Sequence, residues 1–223
     1  MQVTRVVSAA RPLPAYNPCL TFRRKAGDMT RTLALTVMLV LLGFAGFQSS
    51  YVTSGQSDFK TILDGTSLKG WDVVGNANWS VADGAVQASM GTGFLVTPQS
   101  YTDFQITADF WVTDDANSGV FIRCSDPKTI NAMNAYEVNI FDKRPDQAYR
   151  TGAIVDVAKP LTIVNTGGKW NTIDVTARGP RMIVLINGQK MVDVQDNKHA
   201  RGPIALQYGA GTVKFKNVRL KTL

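Results

Sequence analysis

The chain is poor in the residues that nucleophilic and relay catalysis draw on. One histidine, His199, and two cysteines, Cys19 and Cys124, are all that 223 residues contain. A thiol nucleophile works beside a base. The single imidazole lies in a polar loop, which sets cysteine–histidine catalysis aside. Two cysteines, one of them ahead of an export-type segment, leave no disulfide framework. Cys124 alternates onto one strand face with Val120 and Ile122 and reads as a small buried hydrophobe. Helical periodicity is lacking as well, since from Phe59 onward no stretch repeats apolar residues at a spacing of three and four.

Charge of one sign is lacking once the chain is divided. The formal net charge is +7, but residues 1–45 hold Arg5, Arg11, Arg23, Arg24, Lys25 and Arg31 against Asp28 alone. Taking those six bases and one acid from 24 and 17 leaves 18 and 16, a net of +2 for the remainder. That balance gives no electrostatic reason to expect a nucleic-acid partner.

The only long apolar run is Leu33 to Leu42. It follows Arg31 and precedes the small residues Gly43, Ala45 and Gly46, the pattern of a secretory signal peptide over 29–45. The run is short for a membrane span and no stop-transfer charges follow it, so no stable span is expected after cleavage. An uncleaved N-terminal anchor is the alternative. No cysteine follows the run for lipid attachment. Residues 1–28 read as a dispensable extension ahead of a start at Met29, and 46–58 as a polar linker. The expected destination is the periplasm or the exterior.

Residues 59–223 read as one β-sandwich domain. Short alternating segments succeed one another between turn signals, of which Asp83-Gly84 and Asn187-Gly188 are the clearest hairpin pairs. The alternation slips near Asn217, where a bulge is expected. In Asp103 to Thr113, Phe104, Ile106, Ala108, Phe110 and Val112 form an inward face. Trp111 stands among polar residues on the other face, either to stack on a sugar ring or to pack under a loop. Trp170 reads as a core anchor. About a dozen short strands without helices predict an all-β, two-sheet antiparallel sandwich.

The stretch Asn117 to Asp142 is the expected working surface. Its two strands put Val120, Ile122, Val138 and Ile140 on a core face. The opposite face then carries Phe121, Arg123, Glu137 and Asn139. A guanidinium, a carboxylate and a carboxamide together suggest a polar binding surface; the plainer alternative is a solvated face with one surface ion pair. Asp109, Asp114 and Asp115 offer oxygen ligands for a calcium ion, although no dense acidic loop supports it and no cofactor is predicted.

An ordered set of segments resembles a known family. The set runs LDGTSLKGW, Trp79-Ser80-Val81, Asp83-Gly84, Tyr101-Thr102-Asp103-Phe104, NSGVFIR, YEVNIFD, Gly152-Ala153-Ile154, KWNTIDVTARG, LINGQ and GPIALQYGAGTVKFKNVRL. In order and spacing it is similar to the 3-keto-disaccharide hydrolase domains, over Phe59 to Leu223. The resemblance implies a concanavalin-like jelly roll whose concave sheet holds a carbohydrate oxidised at C3. It implies Glu137 as the base and Arg123 as its oxyanion or carbonyl partner, with Asn139, Asp142 and Gln207 as substrate-binding residues. Tyr208, at the place of a family aspartate, and Trp111, from its place on a polar face, complete the expected substrate-binding set. Two departures stand out. Tyr208-Gly209 replaces an Asp-His pair common in the family, and Val155 replaces a tyrosine. Loss of that histidine removes a proton shuttle, so a non-catalytic carbohydrate-binding module is the alternative function.

Overall fold

The computed structural model describes residues 58–223. The expected signal peptide and dispensable extension, and the linker except for Asp58, lie outside the described residues. Thirteen strands follow in order: β1 (Lys60–Leu63), β2 (Asp72–Gly75), β3 (Ser80–Ala82), β4 (Ala85–Ala88), β5 (Gly93–Val96), β6 (Phe104–Val112) and β7 (Asn117–Ile122), then β8 (Tyr136–Ile140), β9 (Trp170–Arg178), β10 (Arg181–Ile186), β11 (Gln189–Gln195), β12 (Ala205–Ala210) and β13 (Val213–Thr222). A single 3-10 turn, Gln147–Tyr149, is the only helical piece among the described residues. None of their helices is long and apolar enough to cross a membrane.

The strands form two antiparallel sheets. One has the order β11-β10-β9-β6-β13-β4-β3 with β1 also on β13, and the other the order β2-β5-β12-β7-β8. The expected sandwich is therefore present. Its hairpins fall where the turn residues put them: Asp83-Gly84 joins β3 to β4, and Asn187 (φ 51) with Gly188 (φ 77) joins β10 to β11. Positive φ at both central residues matches the right-handed twist of the flanking strands. Asn217, at φ 50, marks a register shift between Lys216 and Arg219 on β13.

Period two decides what each sheet buries. On β6, Phe104, Ile106, Ala108, Phe110 and Val112 all face the core, as the alternation predicts. Facing them across the sandwich are Leu95, Val120, Ile122, Val138, Ile140 and Leu206 of the five-stranded sheet. A smaller apolar cluster lies on that sheet's outer side. There the loop between β7 and β8 brings Ile130 and Ala135 down onto Phe121, Val96, Ala205 and Cys124. Cys124 is buried and its thiol is pushed up to about 12 by desolvation, so it stays protonated and inert.

Arg123 departs from expectation. Parity puts it beside Phe121 on the polar face near Glu137. In the structure β7 ends at Ile122 and Arg123 adopts φ 54, which breaks the alternation and turns its side chain to the end of the sandwich. It is 1% exposed. Nε and Nη2 donate to Thr102 O at 2.9 and 2.6 Å, and Nη1 donates to Gly179 O at 2.8 Å and His199 O at 3.4 Å. Nη2 also reaches Asp103 Oδ1 at 3.3 Å. The guanidinium thus ties three loops together and has no donor left over for a ligand. Its geometry gives no basis for a partnership with Glu137.

Arg123→Leu leaves three carbonyls and a carboxylate short of a donor. We expect it to lower unfolding free energy by about 3–5 kcal/mol, read as a lower denaturation midpoint. A midpoint equal to wild type would show that the staple is dispensable.

Candidate functional site

The outer face of the five-stranded sheet is built around a glycine. Gly119 on β7 pairs with Asn139 on β8 and with Gln207 on β12, while Phe121 pairs with Glu137 and Ala205. A side chain at 119 would meet Val138 O at 3.0 Å, Phe121 Cε2 at 3.5 Å and Glu137 Cγ at 3.6 Å. The position stays free of a side chain, a shallow hollow among its cross-strand neighbours Glu137, Asn139 and Gln207, Phe121 and, by strand parity, Asn117. Beside it a cavity of about 450 Å³ is lined by Asn117, Gln207, Phe94, Val74, Lys128 and Ile130, among others.

Three polar atoms on this face are buried without a partner: Asn117 Oδ1, Asn139 Oδ1 and Gln207 Oε1. The amide nitrogen of Asn139 donates to Tyr149 O, which fixes which atom of that carboxamide is the acceptor. Buried acceptors are normally satisfied, and the group that satisfies these must bring donors. Sugar hydroxyls and water both do.

Glu137 is the ionisable group of the hollow. Desolvation raises its carboxyl from 4.5 to about 7, against a lowering from the Arg144 charge and a smaller raising from Asp156. Such a carboxyl changes charge near neutrality, as a general base requires. Arg144 lies over the rings of Phe141 and Tyr149, at 5.7 and 5.6 Å from their centroids. The Tyr149 hydroxyl donates to Asp156 at 3.0 Å. These residues form one rim, and the β7–β8 loop with Lys128 and Ile130 forms another.

Of the residues expected from sequence, Glu137, Asn139 and Gln207 come together here. Four others do not. Arg123 is the loop staple described above. Asp142 is buried, and its carboxylate accepts from Thr151 Oγ1 at 2.5 Å, Thr166 Oγ1 at 2.9 Å, Gly167 N at 3.0 Å and Thr166 N. It is a loop anchor with its lone pairs in use, and it shares the inward parity of Val138 and Ile140. Tyr208 alternates into the core with Leu206, packs edge-on against Trp79 and donates to Gly211 O at 3.0 Å. Trp111 lies on the other sheet, where Lys214 sits 5.4 Å over its ring. Trp170, expected in the core, pairs with Trp111 and is 41% exposed, with Lys216 over it at 4.1 Å.

Two of the three aspartates considered for calcium are engaged separately. Asp109 accepts from Thr172 at 3.1 Å and Asn217 at 2.7 Å, and Asp114 faces Lys143 at 3.7 Å. No cluster of three or more His, Cys, Asp or Glu suited to a metal is present among the described residues.

Asn117, Gly119, Tyr149, Arg144 and Asp156 escape sequence reasoning. Asn117 and Gly119 share the parity of Phe121, which was a usable signal. Arg144 and Asp156 arrive from loops and carry no periodic mark.

The architecture is that of the galectin- and concanavalin-like jelly rolls. Residues 58–221 match the 3-keto-alpha-glucoside-1,2-lyase-like domain, and the chain belongs to that family. A levanase of Bacillus subtilis (strain 168) is 24% identical over 160 residues, covering 69% of this chain but only 23% of the levanase. Two solved structures have the same fold. A candidate glycosyl hydrolase from Parabacteroides distasonis is 22% identical, with a TM-score of 0.67 and coverage of 74% of this chain and 94% of that one. The carbohydrate-binding module CBM66 from Bacillus subtilis is 20% identical, with a TM-score of 0.57 and coverage of 74% and 99%.

A carboxyl raised in the folded state favours folding of its protonated form. Stability is therefore lost as pH rises from 4.5 to about 7. Glu137→Gln removes this loss. At pH 8 the variant should gain up to about 3 kcal/mol over wild type relative to their difference below pH 4. Denaturation curves at the two pH values check this, and parallel pH dependences would count against a raised carboxyl.

Proposed function

We propose that this domain is an exported enzyme that cleaves 3-keto-glycosides or 3-keto-disaccharides on the outer face of its five-stranded sheet. The observation that carries the reading is Glu137, a carboxyl raised to about 7 at the border of a hollow with three unpartnered acceptor oxygens. Membership of the 3-keto-alpha-glucoside-1,2-lyase-like family supports the substrate class.

The chemistry follows from the ketone. A carbonyl at C3 acidifies the hydrogen at C2. Glu137, as carboxylate, takes that proton, and the C–H electron pair becomes the C2–C3 double bond of an enolate, with the charge on the C3 oxygen. Return of the carbonyl forms the C1–C2 double bond and breaks the bond from C1 to the glycosidic oxygen. That oxygen takes the proton back from Glu137. Water adding across C1–C2 completes a net hydrolysis. Asn117, Asn139 and Gln207 accept hydroxyl hydrogens and hold the ring over the carboxylate.

A second reading is a carbohydrate-binding module without turnover. It is favoured by the position of the only histidine: His199 packs on Tyr136 at 5.0 Å, at the end of the sandwich near Arg123, and not at the hollow. Likeness in fold to CBM66 agrees with it.

Purified protein should release the aglycone from a 3-keto-glucoside and leave the unoxidised glucoside intact. The limb of kcat/KM governed by Glu137 should rise through about pH 7, as the carboxyl loses its proton. Glu137→Gln should lower kcat by about 10²–10⁴-fold. Calorimetric binding of plain glycans with no turnover of the keto-glucoside would favour the module instead.

A further inference from the structure

The enolate drawn above needs a cation, and the residue that sequence nominates, Arg123, is spent on loop carbonyls. The rim of the hollow holds another. Arg144 follows β8 in the polar loop that closes with the 3-10 turn at Gln147–Tyr149. Its backbone is pinned from both sides: its N–H donates to Phe141 O at 3.3 Å, and its carbonyl accepts from Arg150 Nε at 2.9 Å. The side chain is held by two aromatic rings, Phe141 and Tyr149. No carboxylate among the described residues closes an ion pair on it. Its charge nevertheless acts on the Glu137 carboxyl. A half-buried guanidinium, restrained by two cation–π contacts and without an ion-pair partner, is a preorganised site for negative charge that forms beside it.

We propose that Arg144 is a catalytic residue of this site, the cationic group that receives the C3 oxygen of the keto-sugar and holds its negative charge in the enolate. The inference rests on the enzyme reading above. Cation–π contact with Phe141 and Tyr149 restrains the guanidinium at the rim, which lowers the cost of presenting its N–H groups to an oxygen there. Tyr149 is itself positioned by Asp156, which makes the 3-10 turn, the Asp156 loop and Arg144 one supporting unit. The same cation favours the ionised form of Glu137. It therefore assists both the removal of the proton and the stabilisation of the charge that removal creates.

The test uses the full chain with a 3-keto-glucoside as probe. Two reactions are followed, release of the aglycone and exchange of the C2 hydrogen in deuterium oxide. Arg144→Ala should lower kcat about 100-fold or more with a smaller change in KM. Its acidic pH limb should move to higher pH, because the carboxyl has lost a neighbouring cation, and free guanidinium should restore part of the rate. A loss of packing alone would produce neither the pH shift nor the rescue. Arg144→Lys, which keeps the charge but loses the fork, should retain the wild-type pH limb with an intermediate kcat; it is the deciding variant if the alanine form fails to fold. Arg144→Ala within threefold of wild-type kcat, or a folded Arg144→Lys that matches wild type, overturns the assignment while the enzyme reading stands. A wild-type protein that neither exchanges C2 hydrogen nor releases aglycone overturns both.

Discussion

Everything at the candidate site depends on the register of β7 between β8 and β12. With a side-chain period of two, β7 sends Val120 and Ile122 into the core and leaves Asn117, Gly119 and Phe121 outside. The pairing of Gly119 with Asn139 and Gln207 brings two carboxamides to a position that has no side chain. A slip of one residue would turn Asn117 and Phe121 towards the core and Val120 and Ile122 towards the outer face, and Gly119 would no longer lie between the two carboxamides. The core therefore holds the hollow open: the apolar residues that fix the register fix the positions of the polar ones.

Burial then sets the chemistry of that hollow. Glu137 stands on the solvent side of its sheet, yet the Phe121 cluster and the β7–β8 loop remove enough water to raise its carboxyl to about 7. Arg144 opposes the shift and Asp156 adds to it, so the final value reflects a contest between desolvation and two loop charges. Desolvation is the largest of the three, which is why the shift is upward even with a guanidinium nearby.

The sandwich, the inward face of β6 and the hairpins at Asp83-Gly84 and Asn187-Gly188 were legible in the sequence because each is a local pattern. Glu137 and Asn139 were legible because strand parity survives over those residues, whereas Gln207 came from the family resemblance alone. Arg123 was misplaced for the opposite reason: a positive φ at one residue ends the alternation, and no composition signal marks it. Tyr208 followed its own parity into the core, and the family resemblance had drawn it outward against that parity. Trp170 was taken for core because tryptophan usually is buried, whereas here Lys216 covers its ring. Arg144 and Asp156 come from loops whose path is set by tertiary contacts such as the Asp142 anchor, and parity has no hold on them.

The buried polar groups of this domain fall into two sets that hydrogen bonding separates. Arg123 and Asp142 are saturated: the guanidinium donates to three carbonyls and a carboxylate, and the carboxylate accepts from two hydroxyls and two amides. Groups so fully used stabilise loops and have nothing to offer a ligand. Asn117, Asn139 and Gln207 each keep a buried acceptor without a donor, and Glu137 is held in an environment that disfavours its charge. Each of these features costs folding free energy. A chain able to build saturated networks at Arg123 and Asp142 leaves three carboxamide oxygens unsaturated together on one face of one sheet, while the other two unpartnered buried atoms, Trp79 Nε1 and His199 Nε2, lie apart from it and from each other. The cost is offset when a molecule supplies the missing donors, which is the part the proposed function gives to sugar hydroxyls, and the saturated set is scaffold around that face.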